Sequence, residues 1–338
     1  MWGFFASLKN DKDLRVINDR ISEGYGGYES EFSLRTGGCL NDYLLALILG
    51  IVEGLTEFLP VSSTAHLRIV EALLGHGGLA GDYWKMFSIV IQLGAILCLP
   101  IYFWDRFVTL FSTFPRGPKR DRTIFTHPLG LVIIAFVVTA IPVFAFTKVI
   151  GKHLDNFHII GAALLVGGIV MWIIDAKNAP WEKAGPGAKG SPIRTWKMDD
   201  MGSAQAIWIG ACQILSGVFP GASRSMCTIA GGQLWGMSRA AALEFSFFLS
   251  FPTMIAATGY TLVKPLLGKN DGSLGVAPQN PHEWLVLIIG FVVSFIVGYA
   301  SVAWFMSWVR RRGFVPFAIY RIALGIAVLA FAGRLAAG

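Results

Sequence analysis

One segment of the sequence places acidic, hydroxyl and imidazole side chains in an otherwise apolar stretch. Glu53 and Glu57 are four residues apart, so a helix would put both on one face. Ser63 and His66 follow the helix-breaking Pro60 and are three apart, within one turn of a second helix. Paired carboxylates suit a divalent cation or acid and base catalysis, and a serine near a histidine suits nucleophilic attack. These residues therefore predict a catalytic site.

A second segment carries a cation at a similar break in an apolar region. Arg224 lies between Ser223 and Ser225, shortly after Pro220 and Gly221. A helix start with free N–H groups, two hydroxyls and a guanidinium fork is typical of a phosphate site. Together the two segments predict phosphoryl transfer to a nucleophile or water, with the developing charge stabilised by the arginine and a metal.

Each feature also has a plain structural interpretation. Glu53 and Glu57 could be solvated at a membrane surface, and a serine after the break could simply cap a helix. His66 could be structural, and Arg224 could extend to the membrane interface. The combination favours chemistry, because an ionisable residue at bilayer depth costs at least about 2.5 kcal/mol.

The composition indicates the surroundings of these segments. The chain has 338 residues, of which 54% are hydrophobic and only 14% charged. A soluble domain carries about 25% charged residues, so most of this chain is predicted to face lipid. We expect an all-α, polytopic membrane protein with no nucleic-acid partner, and a substrate that joins a lipid tail to a phosphorylated head.

Hydrophobic stretches define the predicted helices. Crossing about 30 Å of hydrocarbon takes about 20 helical residues. Six stretches satisfy this length, near 86–104, 129–150, 157–175, 244–264, 284–308 and 315–336. Two further apolar regions, about 43–75 and 204–238, are interrupted by Pro, Gly and Ser. Each is predicted to form a re-entrant helical hairpin that lines a polar cavity.

Basic residues predict the topology. Lys and Arg concentrate in 105–128, in 176–203 and at Arg310–Arg312, which places these segments in the cytoplasm. Both termini then lie outside, the first hairpin enters from outside and the second from inside. Residues 1–41 are predicted to be a polar N-terminal extension, and 42–338 a single transmembrane domain.

An internal repeat is consistent with this topology. At an offset of 160 residues, 50–64 aligns with 210–224 without a gap. The identical pairs are Gly50 with Gly210, Leu55 with Leu215, Pro60 with Pro220 and Ser63 with Ser223. We predict two repeats of opposite orientation, about 42–176 and about 204–338, joined by a basic cytoplasmic loop at 177–203. Inverted repeats with broken helices can build a polar site inside a membrane.

Several segments resemble a known family. EGLTEFLPVSSTAHL (53–67) and PGASRSMCTIAGG (220–232) resemble the two signature segments of the bacterial undecaprenyl-diphosphate phosphatases, the bacitracin-resistance type. DYWKMFSIVIQLGAI (82–96), LEFSFFLSFPTM (243–254) and PFAIYR (316–321) are similar to the same family. The resemblance covers roughly residues 42–335.

The resemblance implies an activity, a location and a set of residues. The activity is hydrolysis of undecaprenyl diphosphate to undecaprenyl phosphate, which recycles the lipid carrier of cell-wall synthesis and confers bacitracin resistance. The location is the bacterial inner membrane, with the site facing the periplasm or cell exterior. A divalent cation, Mg or Ca, would be held by Glu53 and Glu57, and the chain could form a homodimer. The implied catalytic residues are Glu53, Glu57, Ser63, His66 and Arg224, and the implied substrate-binding residues are Ser62, Thr64, Gln92, Ser223, Ser225, Thr228 and Arg321.

Two questions stay open at the level of sequence. For the attacking group we favour Ser63, with His66 as base and later as acid, and direct attack by water is the competing mechanism. For the function, a lipid-phosphate transporter or flippase is the alternative, because broken helices in inverted repeats are typical of secondary transporters.

Overall fold

The computed structural model describes residues 42–73, 82–145, 156–266 and 278–335, and these residues form an all-helical fold. Their only β-type pairing is one isolated bridge between Thr195 and Met237. The described residues from Leu47 onward belong to one compact unit. The predicted extension 1–41 lies outside the described residues, and the predicted bounds of the domain and its repeats stay predictions.

Twelve α-helices are present in the described part of the chain, and we number them in chain order. They are α1 (42–56), α2 (Ser63–Leu73), α3 (Asp82–Ile96), α4 (Cys98–Tyr102), α5 (Trp104–Thr113), α6 (Pro128–Ala145), α7 (Phe157–Ala184), α8 (Ser203–Val218), α9 (Arg224–Leu234), α10 (Arg239–Leu266), α11 (Pro281–Arg312) and α12 (Val315–Leu335).

Six stretches of these helices are long and apolar enough to cross a membrane. They are Tyr83–Tyr102, Pro128–Ala145, Phe157–Ala184, Arg239–Tyr260, Pro281–Val309 and Val315–Leu335. They confirm the predicted number of spanning helices and the prediction of a multi-pass membrane protein. The helix α7 continues to Ala184, so the predicted loop 177–203 begins as helix, and Gly185 ends it at φ +80°. Residues 146–150 and 336 of the predicted spans lie outside the described part.

Small residues bring α7 and α12 into close contact. A methyl group on Gly168 would lie 2.9 Å from the carbonyl oxygen of Ala318, and one on Gly325 would lie 2.7 Å from the amide nitrogen of Leu165. Such distances are too short for a side chain, so only glycine allows this approach. Small residues at helix interfaces are typical of membrane proteins, where close packing replaces the hydrophobic effect between helices. This contact determines where α12 presents its polar residues.

A buried carboxylate fixes the start of α12. Asp175 of α7 is fully buried, and its Oδ2 accepts hydrogen bonds from the backbone N–H groups of Phe314 (2.9 Å) and Val315 (3.2 Å). Its two oxygens also pair with Arg239, at 2.6 Å from Nε and 2.9 Å from Nη2. A negative charge at a helix N-terminus is favourable, and the arginine compensates for its burial. The three helices α7, α10 and α12 are thereby joined at this end.

Candidate active site

Two helix breaks that end in similar capping serines form the centre of the candidate site. The first break (57–62) lies between α1 and α2, and the second (219–223) between α8 and α9. Each ends in a serine with positive φ, Ser62 at 75° and Ser223 at 68°. The Oγ of Ser62 accepts a hydrogen bond from the N–H of Ala65 at 3.4 Å, and that of Ser223 from Met226 at 3.3 Å. Both serines are therefore N-caps, which satisfy one free N–H group of the helix that follows.

The caps establish which residues of the two breaks are equivalent. Ser62 corresponds to Ser223 in both φ and hydrogen bonding. This pairing is shifted by one residue from the ungapped sequence match, which pairs Ser63 with Ser223. Ser63 consequently corresponds to Arg224, and both are the first residue of their helix. The Ser63 hydroxyl and the Arg224 guanidinium thus occupy matching positions.

Glu57 connects the two breaks. The Oγ of Ser63 donates a hydrogen bond to Glu57 Oε2 at 2.6 Å, and Arg224 Nη2 donates to Glu57 Oε1 at 2.6 Å. Only 6% of Glu57 is exposed, so these charge-assisted bonds lie largely away from solvent. One carboxylate therefore brings a hydroxyl from the first break and a guanidinium from the second to the same place.

Two ionisable side chains at this place have atoms without partners. Within the described residues, Arg224 Nε and Nη1 are buried and make no hydrogen bond. Both carboxylate oxygens of Glu53 are also buried and accept none, and Glu53 is fully buried. Buried polar groups are normally hydrogen-bonded, so unsatisfied ones mark a place for a ligand. Arg224 has donors available for an anion, and Glu53 has oxygens available for a cation or a proton.

His66 is held by partners other than Ser63. Its Nδ1 lies 2.7 Å from the carbonyl oxygen of Ser62, and its Nε2 lies 2.7 Å from the Tyr320 hydroxyl. The hydroxyl of Ser63 is instead directed to Glu57. The role of His66 as base for Ser63 stays a prediction, and this geometry favours Glu57 for that step.

Arg321 joins the backbones of both breaks. It is fully buried, and its Nη1 donates to the carbonyl of Pro60 at 3.1 Å. Its Nη2 lies 3.0 Å from the carbonyl of Gly221 and 3.1 Å from that of Ala222. A methyl group on Gly167 would lie 2.5 Å from the same Nη2, so this glycine leaves room for the guanidinium. Helix breaks leave backbone carbonyls without helical partners, and Arg321 donates to such carbonyls in both breaks. The contacts of the predicted substrate-binding Arg321 therefore hold the two breaks together.

The other predicted substrate-binding residues fall into two groups. Ser225 and Thr228 are buried near the second break: Ser225 Oγ donates to the carbonyl of Leu59 at 3.0 Å, and Thr228 Oγ1 lies 2.7 Å from Ser246 Oγ. The first of these bonds is a further link between the two breaks. The side chains of Thr64 on α2 and Gln92 on α3 are partly exposed. Their binding roles stay predictions.

The predicted metal ligands would supply only part of a coordination shell. The described residues contain no group of three or more His, Cys, Asp or Glu that could hold a metal ion. The unpartnered oxygens of Glu53, four residues from Glu57, nevertheless fit a hard cation. Mg²⁺ is commonly bound by one or two carboxylates together with substrate phosphates and water, so this donor set is compatible with such an ion.

Sequence patterns missed Tyr320 and the linking role of Arg321. Both lie in PFAIYR on α12. Their partners His66, on α2, and Pro60, in the first break, are more than 250 residues away in the chain, with a separation of 254 for Tyr320 and His66. A buried arginine in an apolar span was a usable signal, because such residues pair with carbonyls or acids. No spacing rule pointed to the tyrosine.

Comparison with known proteins identifies relatives along most of the chain. Residues 46–327 match the family described as bacitracin resistance protein BacA. A protein from Koribacter versatilis named undecaprenyl-diphosphatase is 64% identical over 295 residues, which cover 87% of this chain and 99% of the relative. Proteins of the same name from Rhizobium etli and Sorangium cellulosum are 40% and 42% identical, and the matches cover 86% and 84% of this chain and 97% and 84% of the relatives. The chain therefore belongs to the bacitracin resistance protein BacA family.

Proposed function

We propose that the chain is an integral membrane phosphatase that hydrolyses undecaprenyl diphosphate to undecaprenyl phosphate and inorganic phosphate. The family and the relatives named undecaprenyl-diphosphatase support this activity. The observation that carries the proposal is the Glu57 carboxylate, which accepts a hydrogen bond from Ser63 and pairs with Arg224. The reaction recycles the lipid carrier of cell-wall synthesis, and bacitracin resistance is consistent with the family name.

Each helix break forms the tip of a re-entrant hairpin in this proposal. The helices α2 and α9 have 11 residues each, which at about 1.5 Å per residue reach only about half of the hydrocarbon thickness. In each hairpin, α1 with α2 or α8 with α9, the chain enters the membrane on one helix and returns to the same side on the other. The matched caps of Ser62 and Ser223 support an inverted repeat in which the two tips meet.

The site faces the periplasm or cell exterior, and the protein lies in the bacterial inner membrane. The support is the concentration of basic residues in 105–128, 176–203 and Arg310–Arg312, a pattern typical of cytoplasmic segments. The substrate is a lipid with a diphosphate head, so its tail stays in the bilayer while the head reaches the breaks. The predicted homodimer stays a prediction.

Ser63 is the attacking group in the mechanism that this geometry supports best. Its hydroxyl oxygen forms a bond to the terminal phosphorus while its proton passes to Glu57 Oε2, the atom that already accepts it. The bond from that phosphorus to the bridging oxygen breaks, and undecaprenyl phosphate leaves with the electron pair. The free Nε and Nη1 donors of Arg224 are available to the terminal phosphoryl oxygens as charge develops on them.

Water completes the reaction by releasing phosphate from Ser63. Its oxygen bonds to the phosphorus, one water proton passes to His66, and Glu57 returns its proton to the departing Ser63 oxygen. Glu57 therefore accepts the proton in the first step and His66 accepts it in the second. In the mechanism favoured from the sequence, His66 is instead the base for Ser63. Direct attack of water on the diphosphate, without a serine intermediate, is the competing mechanism.

A divalent cation completes the proposed site. Glu53 and Glu57 would hold Mg or Ca, which when bound would neutralise part of the charge of the diphosphate. The support is the pair of unpartnered Glu53 oxygens beside a carboxylate that already has two partners. Chelation should abolish phosphate release and added Mg or Ca should restore it. A Glu53→Gln variant should need a higher cation concentration for half-maximal activity.

Phosphate release from undecaprenyl diphosphate by the purified full-length chain tests the activity. We expect release by the wild type, loss of it in Ser63→Ala, and no change in Ser112→Ala, whose serine lies exposed on α5. Acid quenching and mass spectrometry should detect phosphate on Ser63 during turnover. Wild-type activity of Ser63→Ala would contradict the serine mechanism, and an inactive wild type would contradict the proposed function.

A further inference from the structure

The His66 ring lies between two hydrogen-bonding partners of different kinds. On one side Nδ1 is 2.7 Å from a backbone carbonyl, that of Ser62. On the other side Nε2 is 2.7 Å from the hydroxyl of Tyr320. The two rings are nearly parallel, with an interplanar angle of 11° and centroids 5.6 Å apart. The ring is thus held at both nitrogens.

These partners determine the tautomer of the neutral imidazole. A carbonyl oxygen only accepts hydrogen bonds, so the Nδ1 of His66 must carry the hydrogen and donate it to Ser62. Nε2 then has a lone pair and accepts from the Tyr320 hydroxyl, which can donate. A proton can therefore add to His66 only at Nε2, the atom that Tyr320 contacts.

The position of Tyr320 follows from the packing of α12. The next residue, Arg321, binds carbonyls of both breaks, and glycines of α7 pack closely against the same helix. These contacts leave α12 little freedom to move relative to His66. Tyr320 is 46% exposed, in contrast to the fully buried Arg321 beside it in the chain.

We propose that Tyr320 is a positioning residue for His66, a role that rests on the proposed function of the site. Its hydroxyl donates to the Nε2 lone pair of His66, which favours the Nδ1–H tautomer and holds that lone pair on the side of the ring away from Ser62. When His66 takes a proton from water, the Tyr320 hydroxyl passes its hydrogen to Nε2 and receives one from the water, so the tyrosine is unchanged at the end of the step. Orientation of a histidine by a second group is a general device of catalytic sites.

Kinetics of three variants of the full-length chain test this role. Tyr320→Phe removes only the hydroxyl and should lower kcat about tenfold with KM changed less than about twofold, the size expected for one lost hydrogen bond. His66→Gln should lower kcat further, and adding Tyr320→Phe to it should have no additional effect, because the tyrosine acts through the histidine. Tyr299→Phe, a partly exposed tyrosine of α11, is the matched control and should be unchanged.

A measurement without turnover separates this proposal from the proposed function. The chain has six histidines, and in protein labelled with [15N]histidine the signals of His66 are those missing in His66→Gln. We expect the shifts of an Nδ1–H tautomer, with the Nε2 signal displaced in Tyr320→Phe. An unchanged Nε2 signal, a wild-type kcat of Tyr320→Phe, or an undiminished effect of Tyr320→Phe in the His66→Gln background would each overturn the proposal. An inactive wild type that gives the expected spectra would instead contradict the proposed function and leave the role of Tyr320 in place.

Discussion

The two helix breaks share one backbone design and differ in chemistry. In each, a serine with positive φ caps the helix that follows, and Arg321 binds carbonyls of the break. The first helical residue is Ser63 in one and Arg224 in the other. Both side chains reach the same carboxylate, Glu57.

The difference shows how a site can be divided between two similar elements. The first break and the helices α1 and α2 beside it supply the acids, the proposed nucleophile and the imidazole, and the helix α9 after the second break supplies the cation. In the second break the position matching His66 is Cys227, which is buried and donates only a long bond of 3.9 Å to the carbonyl of Ala222. The backbone therefore provides two matching helix starts, and the residue at the first position of each decides what that start does.

Glu57→Gln should cause the largest loss of activity, because Glu57 contacts both Ser63 and Arg224. The amide can still occupy the place between Ser63 and Arg224 but is neutral and a poor base, so kcat should fall about 10³-fold. Phosphate release is the measurement, and Glu244→Gln is the control. Glu244 is a carboxylate that pairs with Arg106, away from the two breaks. A loss of less than about tenfold would show that the carboxylate is not the base.

Arg224→Lys tests the cation of the second break. Lysine keeps the charge, but its three donors lie on a single nitrogen, so it lacks the planar fork that pairs with Glu57 through one nitrogen and presents donors to an anion from the others. We expect kcat/KM to fall about 10²-fold, the loss seen when one donor to a developing oxyanion is removed. Arg194→Lys, at an exposed position outside the breaks, should behave as wild type. Full activity of Arg224→Lys would mean that charge alone suffices.

Arg321→Met should affect both breaks together. Methionine fills much of the space, but carbonyls at Pro60, Gly221 and Ala222 lose their buried donor, which costs about 1–3 kcal/mol for a group left unpaired. We expect a lower midpoint of thermal unfolding in detergent and about tenfold lower activity. Arg334→Met replaces an exposed arginine of the same helix and should leave both unchanged. If only one of the two quantities changes, the arginine does not couple fold and site.

Changes at Ser223 should give the smallest effects and separate the cap from the backbone strain. Ser223→Ala loses the cap, and the break still requires a φ near 68° that a residue with a Cβ atom disfavours, so the free energy of unfolding should fall by about 1–2 kcal/mol. Ser223→Gly also loses the cap but relieves the positive φ, and the two effects should nearly cancel. Ser62→Ala and Ser62→Gly should show the same order if the two breaks are equivalent. Thermal unfolding of the four variants measures this, and a reversed order at either serine would contradict the equivalence.

The sequence predicted the helical elements because their signals are local. Runs of apolar residues gave the six spanning helices, and Pro, Gly and Ser gave the two breaks, since these residues act on the backbone next to them. Residue type also singled out Glu57 and Arg224, because ionisable groups in apolar segments are costly, and Ser63, because its hydroxyl follows the break close to a histidine. The ungapped match of the breaks was displaced by one residue from the cap equivalence, because φ is not visible in a residue pattern.

The tertiary structure alone decided which of these groups meet. Glu57 pairs with Arg224 across 167 residues and His66 with Tyr320 across 254, and no spacing in the chain encodes such contacts. They depend on how α12 packs on α7 and on the backbone carbonyls that Arg321 binds. The sequence by itself therefore determined the kinds of groups and the elements that carry them. Packing determined that Ser63 is directed to Glu57 and that His66 is held by Tyr320, because hydrogen bonding depends on distance and direction in space and not on separation along the chain.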